Sequence, residues 1–191
     1  MNLNKIMEST LKIKLMSDVD GVLVDFNGDF ADWLEENHND AFQGFNPAVW
    51  DFNLGKESWN YIKEFWSSGV LTNLTIFPNA KKVFNDLSEI FQMNIVTALD
   101  PKYKSERVIN LKGFKYDSIK VLGTGKIEYI LNNLKPVVAI EDKPEYIRRM
   151  SKAGIDVYFP RIPMTRGLES YGTPYRNWLE LKKILLEKYG N

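Results

Sequence analysis

The chain has no cysteine and only one histidine among its 191 residues. Without cysteine there is no disulfide, no thiolate nucleophile and no Cys-based zinc site, and a single histidine gives a zinc centre almost no support. That histidine, His38, sits in the polar run from Glu35 to Asp40 and reads as a solvated surface position. Net charge is missing as well. Lys and Arg total 25, as do Asp and Glu, so nothing draws the whole chain toward nucleic acid or an anionic membrane surface. No apolar run approaches the ~20 residues that a spanning helix needs, and a start containing Asn and Lys is unlike a secretory signal. The expectation is a cytoplasmic protein with no membrane partner. A hydrophobic fraction of 44% with 26% charged residues is ordinary for a globular chain, and the length suits one domain carrying a small insert.

The most informative stretch present runs from Leu15 to Phe26. It reads as an apolar strand ending in two carboxylates, Asp18 and Asp20, followed by Gly21, which lets the backbone turn sharply at no Cβ cost. Side chains alternate along a strand, so these acids point the same way with Val19 between them. In an open α/β sheet, ligands bind beyond the carboxyl ends of the strands. Two acids there could hold a hard divalent cation, or one could attack while the other moves protons. The pair alone says little: with twelve aspartates in 191 residues, chance supplies roughly 0.75 Asp-x-Asp triplets. The surroundings decide its meaning.

Those surroundings alternate strand and helix. Strands are predicted at Leu11–Ser17, Met93–Thr97, Ser118–Leu122, Pro136–Ile140 and Ile155–Phe159. Helices are predicted after Pro78, over Tyr103–Leu111, Lys126–Leu134 and Pro144–Ala153, and from Arg176 to Tyr189. Pro136–Ile140 is short and wholly apolar, as befits a strand covered on both faces. The pattern argues for an α/β, doubly wound, Rossmann-like parallel sheet. Residues 27–77 break the alternation. Helical spacing at Phe30, Trp33 and Leu34, and again at Trp59, Ile62, Phe65 and Trp66, flanks an irregular aromatic stretch. We read a small helical cap at 27–77, inserted after the first strand into a core made of 1–26 and 78–191.

Three later features fall where such a sheet would bring them beside Asp18. Thr97 ends a strand and is followed by Ala98, Lys126 opens a helix after Gly123-Thr124-Gly125, and Glu141-Asp142 ends the strand Val137–Ile140. Each has a plainer account: a β-branched strand end, a solvated lysine, a helix-capping acid. A nucleotide-binding P-loop at 123–126 fails, because its first glycine would fall at Lys120 and Ile127 supplies no hydroxyl for a metal.

Acid pair, hydroxyl, lysine and acid pair, in that order at strand ends and helix starts, resemble the haloacid dehalogenase-like (HAD) superfamily of phosphotransferases over about residues 11 to 160. Within it, Asp-Val-Asp-Gly-Val-Leu-Val-Asp-Phe, Pro78, Thr97-Ala98, Gly125-Lys126 and Asn177-Trp178 are most similar to the 5'(3')-deoxyribonucleotidases. The resemblance implies an aspartyl-phosphate mechanism. Asp18 would be the nucleophile and Asp20 the acid and base. Thr97, Ala98 and Lys126 would bind phosphate. Mg²⁺ would be held by Asp18, Asp20 (through its carbonyl) and Asp142, with Glu141 supporting through waters. Glu141 departs from the family's more frequent aspartate at that position.

Nine aromatics crowd residues 33–66 where a uniform spread of the chain's 25 would give about four or five. A small insert needs bulky side chains to build any core, and the remainder could line a slot in which a base stacks. Phe26, matching the family's stacking phenylalanine, and Trp66 are the base-binding candidates. Asn27-Gly28 and the stretch near Gly69 are candidate hinges. The resulting expectation is a Mg²⁺-dependent phosphatase of a small nucleotide, most simply a deoxyribonucleoside 5'- or 3'-monophosphate, with no polynucleotide partner and with a homodimer left open. The alternatives are a polynucleotide 3'-phosphatase, a sugar-phosphate phosphatase, or a nucleotide-binding domain without turnover.

Overall fold

The structure, a computed structural model, describes residues 12–49 and 52–190; the expected lead-in at 1–10, the strand start at Leu11 and the aromatic Trp50 lie outside the described residues. Six strands form one parallel sheet: β1 (Ile13–Ser17), β2 (Phe91–Thr97), β3 (Ser118–Val121), β4 (Val138–Ile140), β5 (Asp156–Pro160) and β6 (Thr173–Tyr175), in the spatial order β3-β2-β1-β4-β5-β6. The chain winds outward from β1 through β2 to β3, then crosses back to place β4 on the other side of β1. This reversal opens a crevice between the carboxyl ends of β1 and β4, where neighbouring connections leave in opposite directions. Asp18 follows β1 directly, and Glu141-Asp142 follow β4.

Alternation along the strands divides the core into two layers. Leu15, Ile95, Val138, Ile140 and Tyr158 face one side of the sheet, and Met16, Val96, Ala139, Val157 and Phe159 face the other. The first layer is covered by α4 (Ala80–Leu87) and α8 (Trp178–Tyr189), through Val83, Phe84, Leu181 and Leu185. The second is covered by α6 (Lys126–Tyr129), the turn that follows it, and α7 (Pro144–Lys152), through Ile127, Ile130, Tyr146, Ile147 and Met150. Both faces of the sheet are thus covered, as its near-continuous apolar strands require.

The segment after β1 carries α1 (Phe26–Asn37), α2 (Asn39–Phe42) and α3 (Ser58–Ser67). Phe30, Trp33 and Phe65 are buried and continuous with the first core layer, and Phe30 meets Phe45, Phe52 and Phe65 with ring centroids 5.3–5.9 Å apart. The aromatic excess therefore builds a core, as the structural account of it requires. Asn27-Gly28 form the first turn of α1, where the Asp25 carboxylate accepts the Gly28 amide at 3.0 Å. They are helix rather than joint. The segment's two connections instead pair with each other. Val24 forms an antiparallel bridge with Ile76, the Asp25 amide donates to the Thr75 carbonyl at 2.8 Å, and the Phe77 amide donates to the Leu23 carbonyl at 3.0 Å.

Two further differences from the expected elements have local causes. The helix predicted over Lys126–Leu134 is one α turn followed by a wider π turn at Ile130–Leu134, which ends at Lys135 with a left-handed φ of 48°; Ile127, Ile130 and Leu134 still face the sheet. The sixth strand, Thr173–Tyr175, was not anticipated, being three residues long with a proline in the middle.

Candidate active site

Asp18 is buried at the mouth of the crevice. Its amide donates to the Ile140 carbonyl at 2.9 Å, which ties the end of β1 to the end of β4. One carboxylate oxygen accepts the Val19 amide at 2.7 Å and the other meets Lys126 Nζ at 2.5 Å. Lys126, itself 1% exposed, also reaches Glu141 Oε2 at 2.8 Å. The glycine-containing turn at Gly123–Gly125 brings the lysine here from the end of β3. Glu141 is fully buried, and its other oxygen accepts the amides of Asp142 and Lys143 at 3.2 and 3.1 Å. Glu141 thus joins Lys126 to the backbone that follows β4.

Carboxylate oxygens of Asp18, Glu141 and Asp142 lie within 4.8 Å of one another. Three buried carboxylates face one ammonium, so the cluster carries an excess of two negative charges when ionised. The consequence shows in their protonation. Burial, then the Glu141 charge, pushes the Asp18 carboxyl up to about 7 against the pull of Lys126. Asp142 is pushed well above the usual carboxylate range by burial and by the charges of Glu141 and Asp18. For Lys126, burial alone would favour the neutral amine, but Asp18 and Glu141 outweigh it and raise its pKa. Gly21 completes the cradle. Its φ is +74°, and a Cβ there would fall 2.1 Å from Asp142 Oδ2. Only glycine allows both that backbone conformation and that approach. Oxygen donors alone, with two uncompensated negative charges among them, fit a hard divalent cation such as Mg²⁺.

Asp20 faces the same space from the turn after β1. Arg107 Nη2, on α5 (Lys104–Asn110), contacts its two carboxylate oxygens at 2.6 and 2.9 Å. Burial raises the Asp20 pKa, with Asp18 adding to the shift and Arg107 opposing it. Thr97 is fully buried; its hydroxyl accepts the Leu99 amide at 3.3 Å and lies 3.5 Å from Asp20 Oδ2. Ala98, one residue on, is exposed at the pocket wall. The backbone after Asp20 turns tightly, and the Trp178 indole from the start of α8 donates to the Val22 carbonyl at 3.0 Å.

Above these groups lies a pocket of about 280 Å³. Asp18, Asp20, Glu141 and Asp142 form its floor, and Phe26, Phe52, Trp59, Ile62, Trp66 and Met164 line its walls. Both base-binding candidates are there. Phe26 packs against Phe30 and Phe65, at 5.8 and 5.4 Å between centroids, while Trp66 meets Trp59 and Tyr103 at 5.6 and 6.1 Å. Beyond Trp59 and Trp66 the pocket adjoins a wider groove of about 1050 Å³. Two other lysines near these elements are placed differently: Lys143 lines the pocket and Lys120 is exposed on β3. Arg161 and Arg166 line a separate surface cleft. The structure thus brings Asp18, Asp20, Thr97, Ala98, Lys126, Glu141, Asp142, Phe26 and Trp66 to one place. Sequence reading missed Arg107, which looks like any cation on an amphipathic helix; it found Gly21 as a turn glycine, which its φ of +74° bears out, but not the close approach of Asp142 from far along the chain.

The fold is shared with solved structures of haloacid dehalogenase-like hydrolases. Similar solved structures include a haloacid dehalogenase-like family hydrolase from Streptococcus pneumoniae, 16% identical, with a TM-score of 0.67 over 92% of this chain and 99% of that one. A HAD family hydrolase from Deinococcus radiodurans with bound phosphate and sodium is 17% identical, with a TM-score of 0.63 over 93% and 96%. A HAD-hydrolase from Bacillus subtilis bound to magnesium is 17% identical, with a TM-score of 0.61 over 91% and 98%. At these identities the likeness establishes the fold. No protein-family model and no curated protein sequence matches the chain.

Proposed function

We propose that this chain is a Mg²⁺-dependent phosphomonoesterase that works through a phosphoryl group carried on Asp18, with deoxyribonucleoside 5'- or 3'-monophosphates as substrates. The observation that carries the reading is the cluster of Asp18, Glu141 and Asp142 around the single cation of Lys126, at the sheet's switch point and under an aromatic pocket. Asp18 and Asp142, with the Asp20 carbonyl, would hold the ion. It would supply charge neutralisation between an anionic nucleophile and an anionic phosphate. In the first half-reaction an Asp18 oxygen bonds to phosphorus as the ester P–O bond breaks, and Asp20 gives its proton to the departing oxygen. In the second, water attacks phosphorus, Asp20 takes the water's proton and the bond to Asp18 breaks, leaving inorganic phosphate and both acids as they began. Lys126 neutralises charge at the attacking carboxylate, and Thr97, with the amides after it, holds phosphoryl oxygens.

Two features support the substrate class. The pocket walls are largely apolar and aromatic, through Phe26, Phe52, Trp59, Ile62 and Trp66, and suit stacking a planar base, while Asn27, Ser58 and Lys143 add polar groups at the lining that a sugar or base could meet. The zero net charge argues against a polynucleotide. The presence of Asp20 argues against dehalogenation, which requires no second acid, and a domain that only binds nucleotides needs no nucleophile beside a lysine. The HAD-fold relatives solved with phosphate or magnesium accord with this chemistry.

The test is phosphate release from a panel of deoxyribonucleoside 5'- and 3'-monophosphates, a sugar phosphate and a 3'-phosphorylated oligonucleotide, with Mg²⁺ and with chelator, for the protein and its Asp18→Asn variant. Release from the monophosphates with metal only, and turnover lowered by at least about 1000-fold in the variant, is the expected result. Undiminished release by Asp18→Asn would overturn the covalent mechanism, and preference for the sugar phosphate or oligonucleotide would overturn the substrate class.

A further inference from the structure

Arg107 is the largest of the fully buried side chains in the described residues, at 0% exposure. Burying a guanidinium is unfavourable unless it is paired. The same helix exposes apolar residues, Val108 at 39% and Ile109 at 56%, so α5 presents its arginine inward and valine and isoleucine to water. That inversion asks for a reason other than packing. Nη2 contacts both oxygens of Asp20, Nη1 donates to Asn110 Oδ1 at 3.2 Å, and Asn110 Nδ2 donates to the Leu74 carbonyl at 3.0 Å. Leu74 precedes Thr75, whose amide and hydroxyl both donate to Asp29 on α1 at 2.7 Å. An unbroken line of polar contacts therefore runs from the acid in the pocket to the connection that returns from the inserted helices.

We propose that Arg107 is a positioning residue for proton transfer by Asp20, and that Asn110 holds Arg107 in register with the returning connection. The inference rests on the phosphatase reading above. Asp20 is 26% exposed to the pocket and stands on a turn, so its carboxylate would otherwise sample several rotamers. Proton transfer to or from a reacting oxygen requires hydrogen-bond reach, and a misplacement of about 1 Å costs about 100-fold in rate. Because a single nitrogen, Nη2, meets both oxygens, each keeps a lone pair on the pocket side for the travelling proton. That proton goes to the ester oxygen as the P–O bond breaks, and another returns from water when the Asp18–phosphorus bond is cleaved.

The experiment compares kcat/KM for two esters. One is a deoxyribonucleoside monophosphate of the proposed substrate class, an alkyl ester whose leaving oxygen needs a proton. The other is p-nitrophenyl phosphate, whose leaving group departs without one. Arg107→Gln is expected to lose about 100-fold on the alkyl ester and less than about 5-fold on the aryl ester, with Arg107→Lys within about 10-fold of the parent on both. In an Asp20→Asn background, Arg107→Gln should cost nothing further on the alkyl ester, since the residue it acts through is gone. Asn110→Ala should show the same ester selectivity at about 5-fold, and it serves as the readout if Arg107→Gln does not fold. Equal losses on both esters, or additive losses with Asp20→Asn, would overturn the inference and leave the phosphatase reading standing. Inactivity of the unsubstituted protein toward both esters would overturn that reading and this inference with it.

Discussion

The residue that shows most clearly how this site is built is Gly21. Its left-handed backbone and the 2.1 Å that would separate an added Cβ from Asp142 Oδ2 leave no room for a side chain. Gly21→Ala must move either the turn after Asp20 or the Asp142 carboxylate. We expect a loss of about 1–3 kcal/mol in stability together with weakened Mg²⁺ affinity, read by thermal melting and by calorimetric titration of the metal. A substitution that lowers the melting temperature yet leaves the affinity unchanged would show that Asp142 is not displaced. Asp18, Asp20, Lys126 and Asp142 could be picked out of the sequence because each sits at a strand end or helix start, positions that a pattern of apolar runs reveals. Gly21 could be read as a turn glycine but not as a neighbour of Asp142, and Arg107 could not be read at all. Their roles are defined by partners 121 and 87 residues away along the chain, and single-sequence periodicity carries no information about such contacts.

At the level of elements, α8 is fastened at both ends. Asn177 caps its start by accepting the Glu180 amide at 3.0 Å, and Trp178 holds the Val22 carbonyl. At the other end Asp156 Oδ2, at the start of β5, accepts from Tyr158 Oη, Tyr189 Oη and Lys188 Nζ at 2.8, 2.6 and 2.7 Å. Burial would raise the Asp156 pKa, but the bonds from Lys188, Tyr189 and Tyr158 outweigh it and hold the carboxyl below the usual range. A depressed folded-state value contributes stability that is present above the ordinary carboxylate pKa and lost as pH falls through the folded one. Asp156→Asn should therefore lower stability by about 1–3 kcal/mol near neutrality, and the difference from the parent should shrink steadily in denaturant melts taken at decreasing acidic pH. A pH-independent difference would locate the effect in packing. The long elements could be read from apolar spacing. β6 could not: Thr173-Pro174-Tyr175 has no apolar run, and a proline is tolerated there because the strand lies at the sheet's edge. The π turn after α6 left no trace in a spacing that serves both helix types.

For the molecule as a whole, a net charge of zero conceals an unbalanced interior. The cluster of Asp18, Glu141 and Asp142 exceeds its lysine by two charges, and Asp18 and Asp142 resist ionising. A raised folded-state carboxyl pKa means that the metal-free fold gains relative stability as pH falls through about 7, because protonation relieves the repulsion. Metal needs the ionised forms. Millimolar Mg²⁺ should thus raise the melting temperature clearly at pH 8 and little at pH 5.5, and Asp142→Asn should abolish the pH 8 increment. An equal increment at both pH values would place the ion elsewhere.

The bridge between Val24 and Ile76, with the bonds from Asp25 and Phe77 on either side, joins the two strands by which the inserted helices are attached. Two separate tethers would let that unit wander and roll. Laced side by side, they form a narrow strap that flexes readily out of its own plane and resists sideways shear, so any widening of the aperture over the acids must follow one arc, like a door on its jamb.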